Sequence, residues 1–342
     1  MRSIVLTGGG TAGHVLPNIA LLPYLGQYFD KVYYLGGSGM EKTISAQNNL
    51  EYYEITTVKL KRKLTLENML IPFKLLKGIK EAKKILRELK PAVVFSKGGF
   101  VALPVVYAAA SLGIKVVAHE SDMSMGLANR LTAKKCQTIC TTFPMQNAKY
   151  PQLVQTGSII RRSIYHGDKS KINLPDNGKP NLLIMGGSLG AAAINQTVWQ
   201  GLDQLCARYN VLHLTGKGKA RENLCHTNYL QLEYLERPQD AYAWADVVVT
   251  RAGSGTVCEL LALKKPAVYI PLTKAESRGD QIQNADYLHA LGVCEVLDQA
   301  TLNAETLLKT VDLVYQKRGQ IAAQCAQQTW VDGTSKIISY LR

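Results

Sequence analysis

The chain has 342 residues, enough for two domains of ordinary size, and its composition, with 46% hydrophobic and 19% charged residues, is that of a soluble globular protein. Its seven cysteines include no C-x-x-C pair, which argues against a disulfide framework and a zinc site and favours a reducing cytoplasm. Of the net charge of +14, residues 59–90 supply +8, through eleven Lys or Arg and three Glu. A nucleic-acid binder would spread its charge more evenly, so we expect no nucleic-acid partner and predict that this patch meets an anionic lipid surface.

The chain opens with a strand, a glycine turn and a helix. Ile4–Thr7 is a short apolar run typical of a buried strand, and the turn Gly8–His14 (GGGTAGH) satisfies G-x-G-x-x-G, a weak signal when it stands alone. The second predicted strand, Lys31–Leu35, ends in Gly36–Ser38, where a nicotinamide-binding domain would place an acidic residue. We therefore predict that the first turn binds phosphate without NAD, and we expect no cofactor.

His14 is predicted to lie at the start of the helix that follows this turn. Because an imidazole titrates near neutrality, a histidine beside a phosphate loop can act as a general base. The alternative is a histidine that only hydrogen-bonds the turn, and the residues leave both interpretations open.

The basic segment predicts two helices, one from Leu64 to about Leu76 and one over Gly78–Lys90. The second has the pattern of an ordinary crossover helix with a solvated charged face. In the first, Phe73 with Lys74 and Lys77 beside it fits a membrane interface, with the ring at the headgroup boundary and the lysines on anionic lipid. Packing in the core is the alternative for each apolar residue there.

Two further buried strands are predicted at Val93–Phe95 and Val116–Ala118, and both end in polar clusters, Ser96–Gly99 and His119–Asp122. Ligands of open parallel sheets bind at the carboxyl ends of strands, so these clusters and the first turn predict one site. The long uncharged run at residues 98–114 is interrupted by Gly and Pro, which favours a buried helix over a membrane span.

The second half of the chain opens in the same way as the first. Residues 157–180 are rich in Gly, Ser, Lys, Asn and Pro, and we place the boundary there, with domains over 1–158 and 159–342. Asn181–Met185 then predicts a strand and Gly186–Gly190 a glycine turn before a helix. The sequence therefore predicts an α/β protein with two Rossmann-like domains whose parallel sheets face each other across a cleft, and the last helix could pack back on the first domain.

A third strand, glycine turn and helix is predicted within Trp244–Leu261, where Val247–Val249 is the strand. Thr256 and Glu259 have the spacing of a capping box, so we expect a helix to start there with open N–H groups that attract phosphate. Glu259 would either cap the backbone or accept hydrogen bonds from ribose hydroxyls. The segment Thr273–Asn284 is predicted as a polar loop on the same side of the sheet.

Two other classes of protein remain open on motif grounds. Gly186–Gly190 also spells G-x-S-x-G, the nucleophile elbow of serine hydrolases, with Ser188 as nucleophile and Asp246 and His289 as the other members of a triad. A noncatalytic subunit that binds a nucleotide sugar or a lipid is the other alternative.

Four motifs together resemble the MurG glycosyltransferases of peptidoglycan synthesis, in glycosyltransferase family 28: Thr7–His14, Gly186–Ala191, Ala241–Asp246 and Ala252–Glu259. The similarity covers essentially the whole chain, with the motifs in the same order. It implies a GT-B fold and an inverting, metal-independent transfer of N-acetylglucosamine from UDP-N-acetylglucosamine to the 4-hydroxyl of undecaprenyl-diphospho-muramoyl-pentapeptide (lipid I). It also implies a peripheral protein at the cytoplasmic face of the cell membrane. No D-x-D pair that would hold a divalent metal occurs in the chain.

The resemblance also implies which residues form the site. Ser188 and Arg161 match positions beside the diphosphate, Glu259 the ribose carboxylate, Leu235 a uracil contact and Gln281 a glutamine that binds the sugar. The full set implied for the donor is Thr11, Ala12, Gly13, Arg161, Ser188, Leu235, Ser254, Gly255, Thr256, Val257, Cys258, Glu259 and Gln281. Gly10 is predicted to contact the acceptor, and Phe73, Lys74 and Lys77 of the basic segment are predicted to contact the membrane.

The hypothesis for the chemistry is that His14, or a nearby carboxylate such as Glu120, removes the proton of the acceptor hydroxyl. Three positions depart from the usual pattern of the family, and one of them is Gly157–Arg161, which lacks the usual proline before the arginine. Ala12 stands where another glycine is common, and Asp122 stands where many members carry an asparagine that contacts the donor.

Overall fold

The computed structural model describes residues 1–58, 70–145, 149–187 and 190–342, which form two compact units. Unit 1 contains Met1–Arg161 and Asp332–Arg342, and unit 2 contains Arg162–Val331. The chain therefore leaves unit 1 after Arg161 and returns to it for its last helix. Each unit is built on one sheet, and every strand pair in both sheets is parallel.

Unit 1 has a seven-stranded sheet in the order 3-2-1-4-5-6-7. Its strands are β1 (Ser3–Thr7), β2 (Lys31–Gly36), β3 (Glu51–Glu54), β4 (Val93–Ser96), β5 (Lys115–Glu120), β6 (Thr138–Thr141) and β7 (Leu153–Gln155). Its helices are α1 (Ala12–Leu25), α2 (Met40–Gln47), α3 (Ile71–Leu89), α4 (Ala102–Ser111), α5 (Leu127–Thr132) and, at the end of the chain, α13 (Thr334–Leu341).

The strands of unit 1 form where short apolar runs are buried on both faces of the sheet, as expected for parallel strands. Alternate side chains of β1 pack in the two cores on opposite faces of the sheet, because successive side chains of a strand point to opposite faces. Val5 belongs to the core that α3 and α4 cover, whereas Ile4 and Leu6 belong to the core that includes Leu21 of α1 and Ile337 of α13. The strands predicted from the sequence at Ile4–Thr7, Val93–Phe95 and Val116–Ala118 are confirmed.

Helix α3 differs from the prediction of two helices. Ile71–Leu89 is one continuous helix, and Gly78, which was taken as the start of a second helix, lies inside it. A Cβ at Gly78 would lie 2.1 Å from the carbonyl oxygen of Thr56, so the glycine marks a close approach of the helix to that backbone. The part of the predicted first helix before Leu70 lies outside the described residues.

The uncharged run after Lys97 forms the buried helix α4, as predicted. Of the helices that the structure describes, none is both long enough and apolar enough to cross a membrane.

Unit 2 has a six-stranded sheet in the order 10-9-8-11-12-13. Its strands are β8 (Asn181–Met185), β9 (Asn210–Leu214), β10 (Tyr229–Leu232), β11 (Val247–Thr250), β12 (Ala267–Tyr269) and β13 (Glu295–Val296). Its helices are α6 (Ala192–Gln200), α7 (Leu202–Arg208), α8 (Pro238–Trp244), α9 (Ser254–Ala262), α10 (Asp280–Ala290), α11 (Ala304–Gln316) and α12 (Arg318–Ala326).

The segment predicted as the polar loop Thr273–Asn284 ends earlier than expected. Helix α10 starts at Asp280, directly after Gly279, whose φ of +82° suits glycine. Gln281 and Asn284 therefore project from a helix. Asn284 is fully buried, and its Nδ2 donates to the carbonyl of Ala252 at 3.2 Å, which ties α10 to the turn after β11.

Candidate active site

Each sheet reverses its strand order at one place, between β1 and β4 in unit 1 and between β8 and β11 in unit 2. The strands end level with each other, because Thr7 pairs with Ser96 and Met185 with Thr250. Ligands of open α/β sheets bind beyond the carboxyl ends of strands at such a place. We call the described residues just after these strands the unit 1 switch point and the unit 2 switch point.

The glycine turn at the unit 1 switch point is held by buried polar side chains. The hydroxyl of Tyr34 donates to the carbonyl of Gly8 at 2.7 Å, and Asn18 Nδ2 donates to the carbonyl of Thr7 at 3.2 Å. Tyr34 and Asn18 are both fully buried, and Asn18 Nδ2 also donates to the hydroxyl of Tyr34 at 3.2 Å. The turn is thus fixed from within unit 1.

Glu41 is a site residue that the sequence analysis missed. It lies in the first turn of α2, only 1% of it is exposed, and its Oε2 accepts from the N–H of Gly10 at 3.3 Å while its Oε1 accepts from the N–H of Gly37 at 3.2 Å. Glu41 follows β2 in the chain and accepts hydrogen bonds from two backbone turns. Gly10, predicted to bind the acceptor, already donates its N–H to this carboxylate.

His14 lies in the first turn of α1 and is half-buried, with its Nδ1 3.0 Å from the Thr11 hydroxyl. This contact is the one expected of a histidine that hydrogen-bonds the turn, and it also fixes the orientation of the imidazole, as a general base requires. A Cβ at Gly99, whose φ is +77°, would lie 2.5 Å from the carbonyl oxygen of Gly9 and 3.3 Å from His14 Nδ1. A glycine there lets the loop after β4 meet the turn that carries His14.

Glu120, the other candidate base, is 5% exposed and organises the loop after β5. Its Oε1 accepts from the N–H groups of Ser121 and Asp122 at 3.0 and 3.3 Å. Its Oε2 accepts from the N–H of Gly126 at 2.8 Å and from Asn129 Nδ2 at 2.9 Å. Both oxygens of this carboxylate are therefore occupied by donors of unit 1.

Lys97 and His119, from the predicted polar clusters, form a buried pair beside the turn. Lys97 is 2% exposed, its Nζ is 2.9 Å from His119 Nδ1, and it also donates to the Ser121 hydroxyl. An ammonium only donates, so Nδ1 accepts, and Nε2 donates to the carbonyl of Gly157 at 3.0 Å. Burial and the nearby charge of Lys97 lower the pKa of His119 well below its usual value, so this histidine is neutral.

At the unit 2 switch point, helix α9 starts at Ser254 with Gly253 as its N-cap, and a glycine has no side chain that could cap the helix. The predicted capping box is therefore wrong, since Thr256 and Glu259 both lie inside the helix. The N–H groups of residues Ser254–Thr256 are at the positive end of the helix dipole, a favourable place for an anion.

Glu259, inside α9, contacts a buried tyrosine. The hydroxyl of Tyr242, on α8, donates to Glu259 Oε2 at 3.2 Å, and Tyr242 is only 3% exposed. This contact sets the direction of the carboxylate from one side. The two interpretations of Glu259, as a backbone cap and as a ribose contact, both stay predictions.

The other residues predicted for the donor are distributed unevenly. The side chains of Val257 and Cys258 are completely buried in unit 2 and cannot contact a ligand, whereas Leu235 is half-buried in the loop after β10. Gln281 Oε1 accepts from the N–H of Leu272 at 3.1 Å. Ser188 lies outside the described residues, and Thr11, Ala12, Gly13 and Arg161 belong to unit 1.

The residues predicted to meet a membrane are exposed on α3. Phe73 is 71% exposed and Leu76 58%, so neither packs in a core, and Lys74 and Lys77 are exposed beside them. A further exposed leucine, Leu131 (49%), lies on α5. Helix α3 thus presents large apolar side chains interleaved with lysines.

The geometry gives no support to a serine hydrolase. The G-x-S-x-G turn follows the carboxyl end of β8, whereas Asp246 Oδ2 accepts from the N–H of Asn181 at 2.8 Å, at the amino end of that strand. His289 Nδ1 lies 3.2 Å from the carbonyl of Cys294, just before β13 begins. Because all these strands are parallel, both proposed triad partners are at the opposite edge of the sheet from the turn.

Two parallel α/β sheets, each with its turns gathered at a switch point, define the GT-B class of glycosyltransferases, and the solved structures agree. The crystal structure of MurG from Acinetobacter baumannii is similar to this chain with a TM-score of 0.78 and 29% identity, covering 100% of this chain and 99% of that one. The glycosyltransferase of kitacinnamycin has a TM-score of 0.76 at 15% identity, covering 98% of this chain and 97% of that one, which shows the fold alone.

The family follows from the sequence comparisons. Residues 4–141 match the glycosyltransferase family 28 N-terminal domain, and residues 181–338 match the C-terminal domain of the same family. The chain belongs to glycosyltransferase family 28. A UDP-N-acetylglucosamine–N-acetylmuramyl-(pentapeptide) pyrophosphoryl-undecaprenol N-acetylglucosamine transferase of Lachnospira eligens is 43% identical, covering 100% of this chain and 99% of that protein. A protein of the same name from Clostridium botulinum is 42% identical, with the same coverage.

Proposed function

We propose that this chain transfers N-acetylglucosamine from UDP-N-acetylglucosamine to the 4-hydroxyl of the undecaprenyl-diphosphate-linked N-acetylmuramyl-pentapeptide, lipid I. The full-length relatives carry the name of this activity at 43% and 42% identity. The structural observation that carries the proposal is the start of α9 after a glycine N-cap, together with the contact of Tyr242 with Glu259 on the same helix. A nucleoside diphosphate needs both an anion site and an acceptor for ribose hydroxyls.

The donor binds in unit 2. The N–H groups of Ser254, Gly255 and Thr256 bind a phosphate of UDP, since the helix dipole and the open amides both favour an anion. Glu259 accepts hydrogen bonds from the ribose hydroxyls, and Leu235 packs on the uracil.

Gln281 binds the sugar through its amide group, with its Oε1 anchored on Leu272. Arg161 and Ser188 are assigned to the diphosphate by the family resemblance. These contacts stabilise the charge that develops on the leaving UDP, as preorganised donors stabilise an oxyanion.

The reaction inverts the anomeric carbon in one step. The oxygen of the acceptor hydroxyl attacks that carbon from the face opposite UDP, the bond to the diphosphate oxygen breaks, and its electron pair leaves with UDP. His14 takes the proton of the hydroxyl, with its ring oriented by Thr11. We assign Glu120 to the organisation of its loop, because its oxygens are already occupied by four donors.

The acceptor and the membrane meet unit 1. Phe73 enters the headgroup boundary while Lys74 and Lys77 contact anionic lipid, which would hold the protein as a peripheral component on the cytoplasmic face of the membrane. Gly10, in the first turn, faces the acceptor and is held in place by Glu41.

The test of the activity is an assay with UDP-N-acetylglucosamine and a short-chain lipid I analogue that measures UDP release and the β-linked disaccharide. Acceptor-dependent release supports the proposal. Binding of UDP-N-acetylglucosamine without release would assign another acceptor or a noncatalytic role. For the donor site, Glu259→Gln should weaken UDP binding about tenfold, while Glu305→Gln, an exposed control on α11, should leave it unchanged.

The test of the membrane contact is the binding of the protein to anionic vesicles. Phe73→Asp should reduce binding, and added salt should reduce it further because the lysine contacts are screened. Leu313→Asp is the matched control, since Leu313 is an exposed leucine on α11 in unit 2. Equal losses for the two variants would argue against a specific role for α3.

A further inference from the structure

Arg251 is a buried cation at the unit 2 switch point that the donor site described above does not use. It follows β11 directly, two residues before Gly253, the N-cap of α9, and is only 7% exposed. Charged side chains are rarely buried to this extent unless they are paired. The hydrogen-bond partners of Arg251 therefore bear on the role of its charge.

The partners of Arg251 within the chain are few for a guanidinium, which has five N–H donors. Nη1 donates to the carbonyl oxygens of Ile270 at 3.0 Å and Pro271 at 3.2 Å, while the buried Nε has no hydrogen-bond partner among the described residues. Burial lowers the pKa of Arg251, and Glu276 partly offsets this effect by attraction. The carboxylate of Glu276 itself accepts from Thr273 at 3.0 Å.

Two positive groups follow each other closely in the chain at this position. The charge of Arg251 and the positive end of the α9 dipole have the same sign and are separated by one short turn. The attraction of Glu276 offsets only part of the cost of burying Arg251, and a neighbouring positive helix end adds to that cost. An anion bound at the start of α9 would remove both penalties together.

Arg251 also fixes the segment that leads to Gln281. It holds the carbonyls of Ile270 and Pro271, and the next residue, Leu272, donates its N–H to Gln281 Oε1 at 3.1 Å. Gln281 is therefore linked to Arg251 through two residues of backbone. A change at Arg251 would shift the amide that the proposed function assigns to the sugar.

We propose that Arg251 is a positioning residue of the donor site, whose buried charge balances the diphosphate of UDP at the start of α9 and whose hydrogen bonds place Gln281. The inference rests on the proposed function, because it needs a nucleoside diphosphate in unit 2. It adds a residue that contributes mainly to the binding of phosphate charge and little to the binding of the nucleoside.

The experiment compares uridine, UMP and UDP as ligands of the wild type, Arg251→Gln and Arg251→Lys, by competition against one fluorescent UDP analogue. Gln keeps an N–H donor for the carbonyls without the charge, and Lys keeps the charge. Arg251→Gln should weaken UDP binding about tenfold or more, UMP less, and uridine within about twofold, whereas Arg251→Lys should restore most of the UDP affinity.

The outcomes separate the inference from the function on which it rests. Equal weakening of all three ligands, or unchanged UDP binding in Arg251→Gln, would overturn the role of the charge while leaving the proposed function intact. Wild-type protein that binds none of the three would overturn both. In the transfer assay, Arg251→Gln should also raise the KM for UDP-N-acetylglucosamine more than that for the acceptor.

Discussion

At the unit 1 switch point the N–H of Gly10 donates to Glu41, a side chain of the same unit, whereas at the unit 2 switch point helix α9 starts after a glycine N-cap, Gly253, which has no side chain to cap it. The buried cations of the two units, Lys97 and Arg251, also differ in their hydrogen-bond partners. Lys97 contacts the neutral His119, and Arg251 keeps a buried Nε without a partner in the described residues. Unit 1 thus holds its turn with a carboxylate of its own, whereas in unit 2 a buried donor of Arg251 has no partner among the described residues.

The proposed function places proton transfer in unit 1 and UDP binding in unit 2. The variant His14→Ala tests this division and should have the largest effect. Loss of a general base typically lowers turnover by about 10²–10⁴. We expect a fall in kcat of this size in the transfer assay, with UDP affinity within about twofold of wild type because His14 belongs to unit 1.

The matched control is Thr11→Val, which removes only the hydroxyl that contacts His14 Nδ1 at 3.0 Å. It should lower kcat by a smaller factor, about tenfold. Near-normal turnover in His14→Ala would reject histidine as the base, and a parallel loss of UDP affinity would break the division between the units.

The second prediction concerns the stability of unit 2 in acid. His213 is fully buried between Tyr229 and Asn195, and burial lowers its pKa from 6.5 to about 4. The unfolded chain binds a proton at a higher pH than the folded one, so the stabilising contribution is complete above pH 6.5 and decreases as the pH falls from 6.5 to about 4. The shift corresponds to about 3 kcal/mol.

Tryptophan fluorescence measures this effect in one unit, because Trp199, Trp244 and Trp330 all lie in unit 2. Urea unfolding across this pH range should show the decrease in wild type, and His213→Gln should flatten the pH dependence even if it lowers stability near neutral pH. An unchanged slope in the variant would assign the acid sensitivity to other groups.

The third prediction concerns the carboxylate that fills the turn of unit 1. Glu41→Gln leaves one oxygen to accept from either Gly10 or Gly37, so one N–H loses its partner, at a cost of about 2 kcal/mol. Hydrogen exchange at these two amides should accelerate, while the fluorescence-detected unfolding of unit 2 should stay the same. Glu54→Gln, which removes an exposed ion pair with Lys42, is the control and should change little.

The sequence predicted the parts of this fold that depend on local pattern. Buried strands such as Val93–Ser96 are short apolar runs, and glycine turns end them, so their positions follow from periodicity and composition. Gly78 was misinterpreted because a glycine in a helix has two possible meanings, and only the position of the Thr56 backbone distinguishes a break from a close approach.

The site was less predictable because its contacts join distant parts of the chain. The role of Glu41 depends on how α2 packs beside the turn after β1, and no local spacing encodes that. Thr256 and Glu259 have the spacing of a capping box. The helix nevertheless starts earlier, at Ser254, so Thr256 is not its N-cap. The nature of the activity came from motifs over the whole chain, whereas the geometry of each residue required the fold.

The smallest expected effect is at Tyr242, which decides whether Glu259 is oriented before the ligand arrives. Tyr242→Phe removes the hydroxyl that donates to Glu259 Oε2 at 3.2 Å but keeps the buried ring, so packing in unit 2 should be preserved. Loss of this one hydrogen bond should weaken UDP binding by about 1 kcal/mol, or about fivefold. Binding of the 2′,3′-dideoxy analogue of UDP should not change, because that ligand lacks the hydroxyls that Glu259 would accept from. If both ligands weaken equally, Tyr242 supports the general packing of α8 and the orientation of Glu259 is set elsewhere.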